Sequence, residues 1–120
     1  MMLATGAASA TADDHRQRSS EPAEFACVHY AHTLQRPALL LATHHAASAL
    51  DALAWLIARS CDIAEQLDAE PRRQVRHRML AATLQEEILR DLRERCPVTI
   101  EIADPETRFE LTVRPCPETA

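Results

Sequence analysis

The chain has 120 residues, which is enough for one domain. Its 13 basic residues, all arginine, face 18 acidic residues, and the net charge of −5 argues against a protein whose main task is wrapping nucleic acid or binding an anionic membrane. With a single glycine, no phosphate-binding loop and no nucleophile elbow, an enzyme is not predicted, and we expect no cofactor. The exclusive use of arginine is typical of a GC-rich bacterial or phage genome.

The cysteines are widely spaced and include no C-x-x-C pair; they are Cys27, Cys61, Cys96 and Cys116. Residues 1–12 lack the basic start and leucine-rich core of an export signal, so we expect a cytoplasmic protein with free thiols. In an oxidising compartment Cys96 and Cys116 could instead be bridged. No membrane span is expected, because polar side chains interrupt the most apolar run before it reaches about 18 residues.

Composition divides the chain into three parts. Residues 1–24 are rich in Ala, Ser, Thr and charge and predict a disordered arm. Residues 25–116 are expected to form a single α+β domain, and residues 117–120 a short tail.

The start of the domain, residues 25–36, is open to two interpretations. As a strand it alternates Phe25, Cys27 and His29 against their neighbours, whereas as a helix it places His29 and His32 one turn apart. The β-forming composition favours a short strand near residues 25–30, which would be a third strand beside a C-terminal hairpin.

Residues 37–70 form the longest predicted element, a helix bounded by Pro37 and Pro71. Its apolar residues recur at heptad-like spacing over about nine turns, roughly 50 Å. A helix of this length overhangs a small domain and needs a partner along its length. The predicted interaction face consists of Leu39, Leu50, Leu53, Leu56, Ile57 and Leu67.

A second amphipathic helix is predicted over residues 72–95, ended by Pro97. A short connection between two long helices predicts an antiparallel helical hairpin. Because the second helix is shorter than the first, part of the apolar stripe stays uncovered, and we expect a homodimer.

Residues 98–113 carry the clearest local pattern, with apolar and polar residues alternating on both sides of a turn at residues 104–107. Keeping the apolar residues on one face predicts a two-stranded hairpin with Ile102 opposite Phe109. The same register places Glu101 opposite Glu110, and like charges in that arrangement weaken a hairpin. Either water together with nearby Arg108 or Arg114 compensates the two charges, or the glutamates contact an Arg-rich partner or a cation.

Two clusters suggest other chemistry. The first cluster contains ligand types that suit zinc: Cys27, His29, His32 and His44. Their spacing fits no standard zinc finger, so no metal is predicted. The alternative is that they are partly buried polar side chains at the start of the helix. The start of the second helix carries Arg72, Arg73, Arg76 and Arg78, which would suit contacts to the phosphates of nucleic acid.

The sequence therefore predicts an α+β protein built from a long antiparallel helical hairpin with a C-terminal two-stranded β-hairpin against it. The function we expect is that of a small non-catalytic interaction module, an adaptor, chaperone or inhibitor, which dimerises through the helical hairpin and binds a protein partner. The alternative is a dimeric winged-helix-like DNA-binding regulator that uses the Arg-rich start of the second helix.

Overall fold

The computed structural model describes residues 23–117, which form a hairpin, three helices and a second hairpin. The elements are β1 (Phe25–Thr33), β2 (Leu39–Ala46), α1 (Ala49–Ala64), α2 (Ala69–Met79), α3 (Ala82–Arg93), β3 (Val98–Ala103) and β4 (Thr107–Pro115). The strands pair antiparallel in one four-stranded sheet of order β2-β1-β4-β3. The two hairpins, far apart in sequence, therefore meet along β1 and β4.

The predicted fold, a long helical hairpin with a two-stranded C-terminal hairpin, is wrong. Residues 39–46, near the start of the predicted helix over residues 37–70, form the strand β2, which pairs with β1. Helix α1 begins only after Ser48, whose hydroxyl accepts a hydrogen bond from the Asp51 backbone N–H at 3.0 Å. Asp51 in turn accepts from the backbone N–H of Ala47 at 3.1 Å, so this cap separates strand from helix.

The second predicted helix, over residues 72–95, is two helices. Ala81 is in an extended conformation and separates α2 from α3. The side chain of Gln85 donates to the backbone carbonyl of Met79 at 2.9 Å, which satisfies a carbonyl at the end of α2. Pro71 lies in the first turn of α2, where its missing N–H costs no helical hydrogen bond.

The strand predictions at both ends of the domain are confirmed. Residues near 25–30 belong to β1, with the expected alternation of buried and half-buried side chains. In the C-terminal hairpin Ile102 lies opposite Phe109 and Glu101 opposite Glu110, as predicted. The side chain of Asp104 accepts from the backbone N–H groups of Glu106 and Thr107, at 2.8 and 2.7 Å, and shapes the turn.

The core lies between the sheet and the helices. Helix α1 packs on β1, β2 and β4, α3 packs on β3, and α2 contacts the other two helices. Alternate residues of the strands face this layer, including Phe25, Leu111 and Val113, and they meet Leu56 of α1 and Leu92 of α3. The opposite face of the sheet carries no described helix, and it is lined by polar and half-buried residues together with the exposed Leu40.

Most of the predicted N-terminal arm, residues 1–22, and residues 118–120 of the predicted tail lie outside the described residues. Among residues 23–117, no helix combines the length and the apolar character needed to cross a membrane.

Candidate interaction surface

The outer edge of β2 is the most apolar exposed feature of the described chain. No described strand pairs with that edge, because β2 is the outermost strand on one side of the sheet. Four large side chains are exposed on β2 and in the loop before it: Leu34 by 94%, Leu39 by 46%, Leu40 by 53% and Leu41 by 44%. An unpaired, apolar edge of this kind is a template for pairing with another strand.

The leucines occupy both faces of β2. Leu40 lies opposite Tyr30 and shares the face of the sheet that carries no helix, whereas Leu39 lies opposite Ala31 on the helix side. Leu41 is the extra residue at a register shift next to His29 and Tyr30. The helices leave Leu39 about half exposed, so β2 offers an edge and parts of two faces to a partner.

The other edge of the sheet, β3, has the opposite character. Val98, Ile100 and Ile102 are buried against the helices, and the exposed position in the middle of the strand is Glu101. A short edge strand with a charge at its centre resists edge-to-edge pairing. The two edges therefore differ in their capacity to bind a strand.

The predicted interaction face does not form one exposed surface. Leu53, Leu56 and Leu67 are buried in the core, and Ile57 packs half-buried against it. Leu50 is exposed at the start of α1, and Leu39 is exposed on β2. The structure thus separates the six residues, because the helix that would have aligned them does not extend through residues 39–46.

The carboxylates of Glu101 and Glu110 are engaged within the chain. One nitrogen of Arg108 lies 3.1 Å from Glu101 and 3.7 Å from Glu110, so this arginine spans both residues. His32 Nε2 lies 2.9 Å from Glu110 Oε1, and the Thr112 hydroxyl donates to the other carboxylate oxygen at 3.2 Å. The hydrogen bond from His32, helped by Thr112 and Arg108, lowers the pKa of Glu110.

The structure places Cys27 opposite His44 on neighbouring strands, but the side chains considered for zinc engage other partners. His32 turns to Glu110, while His44 Nε2 lies 3.3 Å from Asp51 Oδ1 and its ring stacks on Trp55. Burial, and then the neighbouring Asp51 and Cys116, raises the pKa of the Cys27 thiol to about 12, so it stays protonated. Within residues 23–117, no group of three or more His, Cys, Asp or Glu side chains is placed to hold a metal ion.

His29 instead forms a buried polar contact with α1. Arg59 donates to His29 Nδ1 at 3.0 Å, which leaves the imidazole proton on Nε2 because a guanidinium cannot accept a hydrogen bond. Burial and the charge of Arg59 lower the pKa of His29. His29 Nε2, Arg59 Nε and the buried Ser60 hydroxyl have no hydrogen-bond partner in the described chain. The period-2 pattern of β1 gives His29 a buried position, but no sequence signal gives it Arg59 as a partner.

The predicted arginine cluster lies on α2 and divides between two grooves. Arg72, Arg73 and Arg76 line one groove together with His77. Arg78 lines another groove, between α2 and β3.

Two of these arginines form ion pairs within the chain, Arg73 with Glu70 at 2.7 Å and Arg76 with Glu65. Arg72 donates to the backbone carbonyl of Leu67 at 3.0 Å. The four cysteines are unpaired, Cys96 being exposed and Cys116 half-buried.

Leu34, Leu40 and Leu41 are the surface residues that sequence reasoning missed. Three consecutive leucines followed seven residues later by a Ser-x-x-Asp cap could have indicated a strand before a helix start. In comparisons with known proteins, the chain matches no family model, no curated protein and no solved structure.

Proposed function

We propose that the protein is a non-catalytic interaction module that works as a homodimer, with the edge strand β2 as its dimerisation element. The observation that carries the proposal is the uncharged, leucine-rich and unpaired edge of that strand. In this role the dimer acts on another protein in the cytoplasm, as an adaptor, chaperone or inhibitor.

A second copy of the chain suits this edge because the edge is self-complementary. Two β2 strands that pair antiparallel about a twofold axis bring leucines together and join the two sheets into one. Residues 39–46 contain no Asp, Glu, Lys or Arg, so the pairing opposes no permanent like charges. At β3, by contrast, a symmetric pairing would bring the two copies of Glu101 towards each other.

The leucines also provide enough apolar area to favour association. Full burial of a half-exposed leucine contributes on the order of 1 kcal/mol. The four leucines of each protomer together offset much of the association cost, which is about 4–15 kcal/mol. Backbone hydrogen bonds along the two edges then fix the orientation of the partners.

The test is the molar mass in solution of the wild type and two variants, measured by sedimentation over a range of concentrations. Leu40→Arg places a charge on the β2 edge, and Thr99→Arg places the same charge on the same sheet face at the β3 edge. We expect a dimer at micromolar concentration for the wild type and Thr99→Arg, and a folded monomer for Leu40→Arg. A monomeric wild type, or a Leu40→Arg dimer as stable as the wild type, would contradict the proposal.

Dimerisation through the helical hairpin is not retained, because that hairpin is absent from the observed fold and Leu53 and Leu56 lie in the core. The winged-helix alternative also requires an architecture that differs from this one. Its wing would be the hairpin of β3 and β4, but β4 is a central strand paired with β1.

A further inference from the structure

We propose that the groove along α2 binds a phosphate group, through Arg72, Arg73 and Arg76. The groove has a volume of about 580 Å³, within the range of small-molecule sites, and it is also lined by His77 and Leu80. The groove is lined by residues of α2 and of the connection after it, none of which belongs to the β2 edge, so the proposal is independent of dimerisation.

Charge is concentrated at this helix. The whole chain has a net charge of −5, yet α2 carries four arginines and a histidine against a single acidic residue, Glu70. The only buried residue of α2 is Met79, so most of its side chains face solvent rather than the core. A basic helix whose arginines are mostly exposed, on an acidic protein, is suited to an anionic ligand.

The intrachain contacts of these arginines leave donors for a ligand. A guanidinium has five N–H groups, and Arg73 uses one nitrogen for Glu70 while Arg76 uses one for Glu65. Both ion pairs are exposed and therefore weak, with Arg73 69% and Arg76 46% exposed in their side chains. A phosphate dianion competes well for such groups.

Arg72 adds a separate indication. Its terminal nitrogen is held by the Leu67 carbonyl, and its Nε is buried with no hydrogen-bond partner in the described chain. One terminal nitrogen of the guanidinium is therefore held in place, while its Nε–H lacks an acceptor within residues 23–117. Arginine matches phosphate because its planar fork donates two parallel hydrogen bonds to two oxygens, which is why we infer phosphate rather than a simple anion.

The test is an NMR titration of the full chain with inorganic pyrophosphate, followed at backbone amides and arginine Nε–H signals. Three variants are compared with the wild type: Arg72→Gln with Arg76→Gln, Arg73→Gln with Arg76→Gln, and the charge-matched control Arg93→Gln with Arg114→Gln, whose arginines are exposed outside the groove. The second variant keeps the Arg72 contact to Leu67, so loss of folding in the first does not decide the outcome.

We expect saturable shifts confined to residues 69–81 in the wild type and the control, and binding at least about tenfold weaker in both groove variants. Equal shifts with chloride at the same ionic strength, no saturable shifts in the wild type, or unchanged affinity in the groove variants would overturn the proposal.

A parallel titration with a short DNA duplex identifies the source of the phosphate. Tighter binding of the duplex at residues 69–81, falling steeply with salt, assigns the site to a nucleic-acid backbone, and tighter binding of pyrophosphate assigns it to a small phosphorylated ligand. Monomeric Leu40→Arg protein is expected to bind as the wild type does, which separates this site from the β2 edge.

Discussion

At the scale of single residues, His29 shows how a polar side chain is held in an apolar core. The centroid of its ring lies 5.8 Å from that of Phe109. Its Nδ1 accepts a hydrogen bond from Arg59 of α1. A protonated His29 would place a second cation beside the Arg59 guanidinium in a largely buried position, so the neutral imidazole is favoured. The contact is therefore stable only while the histidine is unprotonated.

We expect the stability of the fold to fall on acidification because of His29. The pKa of His29 is lowered in the folded chain, so below the ordinary value of 6.5 the unfolded chain binds a proton that the folded chain does not. The free energy of unfolding should therefore decrease from pH 7 to pH 5 more in the wild type than in His29→Gln, whose amide still accepts from Arg59. Urea denaturation at the two pH values measures the difference.

The companion variant is Arg59→Gln, which keeps the histidine and removes the cation beside it. Its pH dependence should lie between those of the wild type and His29→Gln, because burial alone then opposes protonation. If the wild type and His29→Gln lose equal stability between the two pH values, His29 is not the group responsible.

Two leucines of α1 separate the core from the surface. Leu56 is fully buried and Leu50 is exposed, although both belong to the apolar stripe that the sequence suggests. Leu56→Ala should lower the free energy of unfolding by about 2–5 kcal/mol, because it leaves a cavity between α1 and the sheet. Leu50→Ala, the control, should change it by less than about 0.5 kcal/mol. Equal effects in denaturant unfolding would show that α1 presents a different face to the core.

At the scale of elements, the start of α1 is set by the N-cap residue before it, Ser48. The hydroxyl of Ser48 accepts from the Asp51 N–H, so we expect Ser48→Ala to lower the free energy of unfolding by about 1 kcal/mol. Ser60, on the same helix, is buried and its hydroxyl has no partner in the described chain, so Ser60→Ala should be neutral or stabilising. Thermal and urea unfolding of the two variants checks the opposite signs. A Ser48→Ala chain as stable as the wild type would contradict the role of the cap.

Prediction from the sequence succeeds for the β3–β4 hairpin and fails for the segment before α1. The hairpin of β3 and β4 is local, with alternation and an Asp-Pro turn that agree, so even its register follows from the sequence. Residues 39–46 are rich in Leu and Ala, which favour a helix, and they become a strand because β1 pairs with them. The one local sign of the change is the cap at Ser48.

The candidate surface was harder to predict for the same reason. In a helix Leu39, Leu40 and Leu41 point in different directions, so a heptad pattern selects one of them and leaves the others aside. In the edge strand β2 all three are exposed, because no described strand flanks them on the outer side and the helices only partly cover this end of the sheet. The α2 arginines, by contrast, are recognisable from sequence, since charge clustering within one helix is a local property.

At the scale of the whole molecule, the sheet connects the N-terminal and C-terminal hairpins of the described chain. The pairing of β1 with β4 joins residues about eighty positions apart, so the central strands cannot separate unless the two hairpins come apart. Their amides should exchange with solvent only through global unfolding, whereas an edge strand opens locally. Protection from hydrogen exchange should therefore be highest in β1 and β4.

Hydrogen exchange of the β2 amides then tests whether the chain associates through this edge. In the wild type, a second copy bound at β2 should protect its amides, and this protection should rise with protein concentration because dimer formation stabilises the paired edge by mass action. In the monomeric Leu40→Arg variant, β2 should exchange faster than β1 at every concentration, while β3 should exchange alike in both proteins. Native-state hydrogen exchange at two concentrations measures all three strands at once. Concentration-independent exchange of β2 in the wild type, or a rise in protection at β3 instead, would show that the chain does not associate through β2.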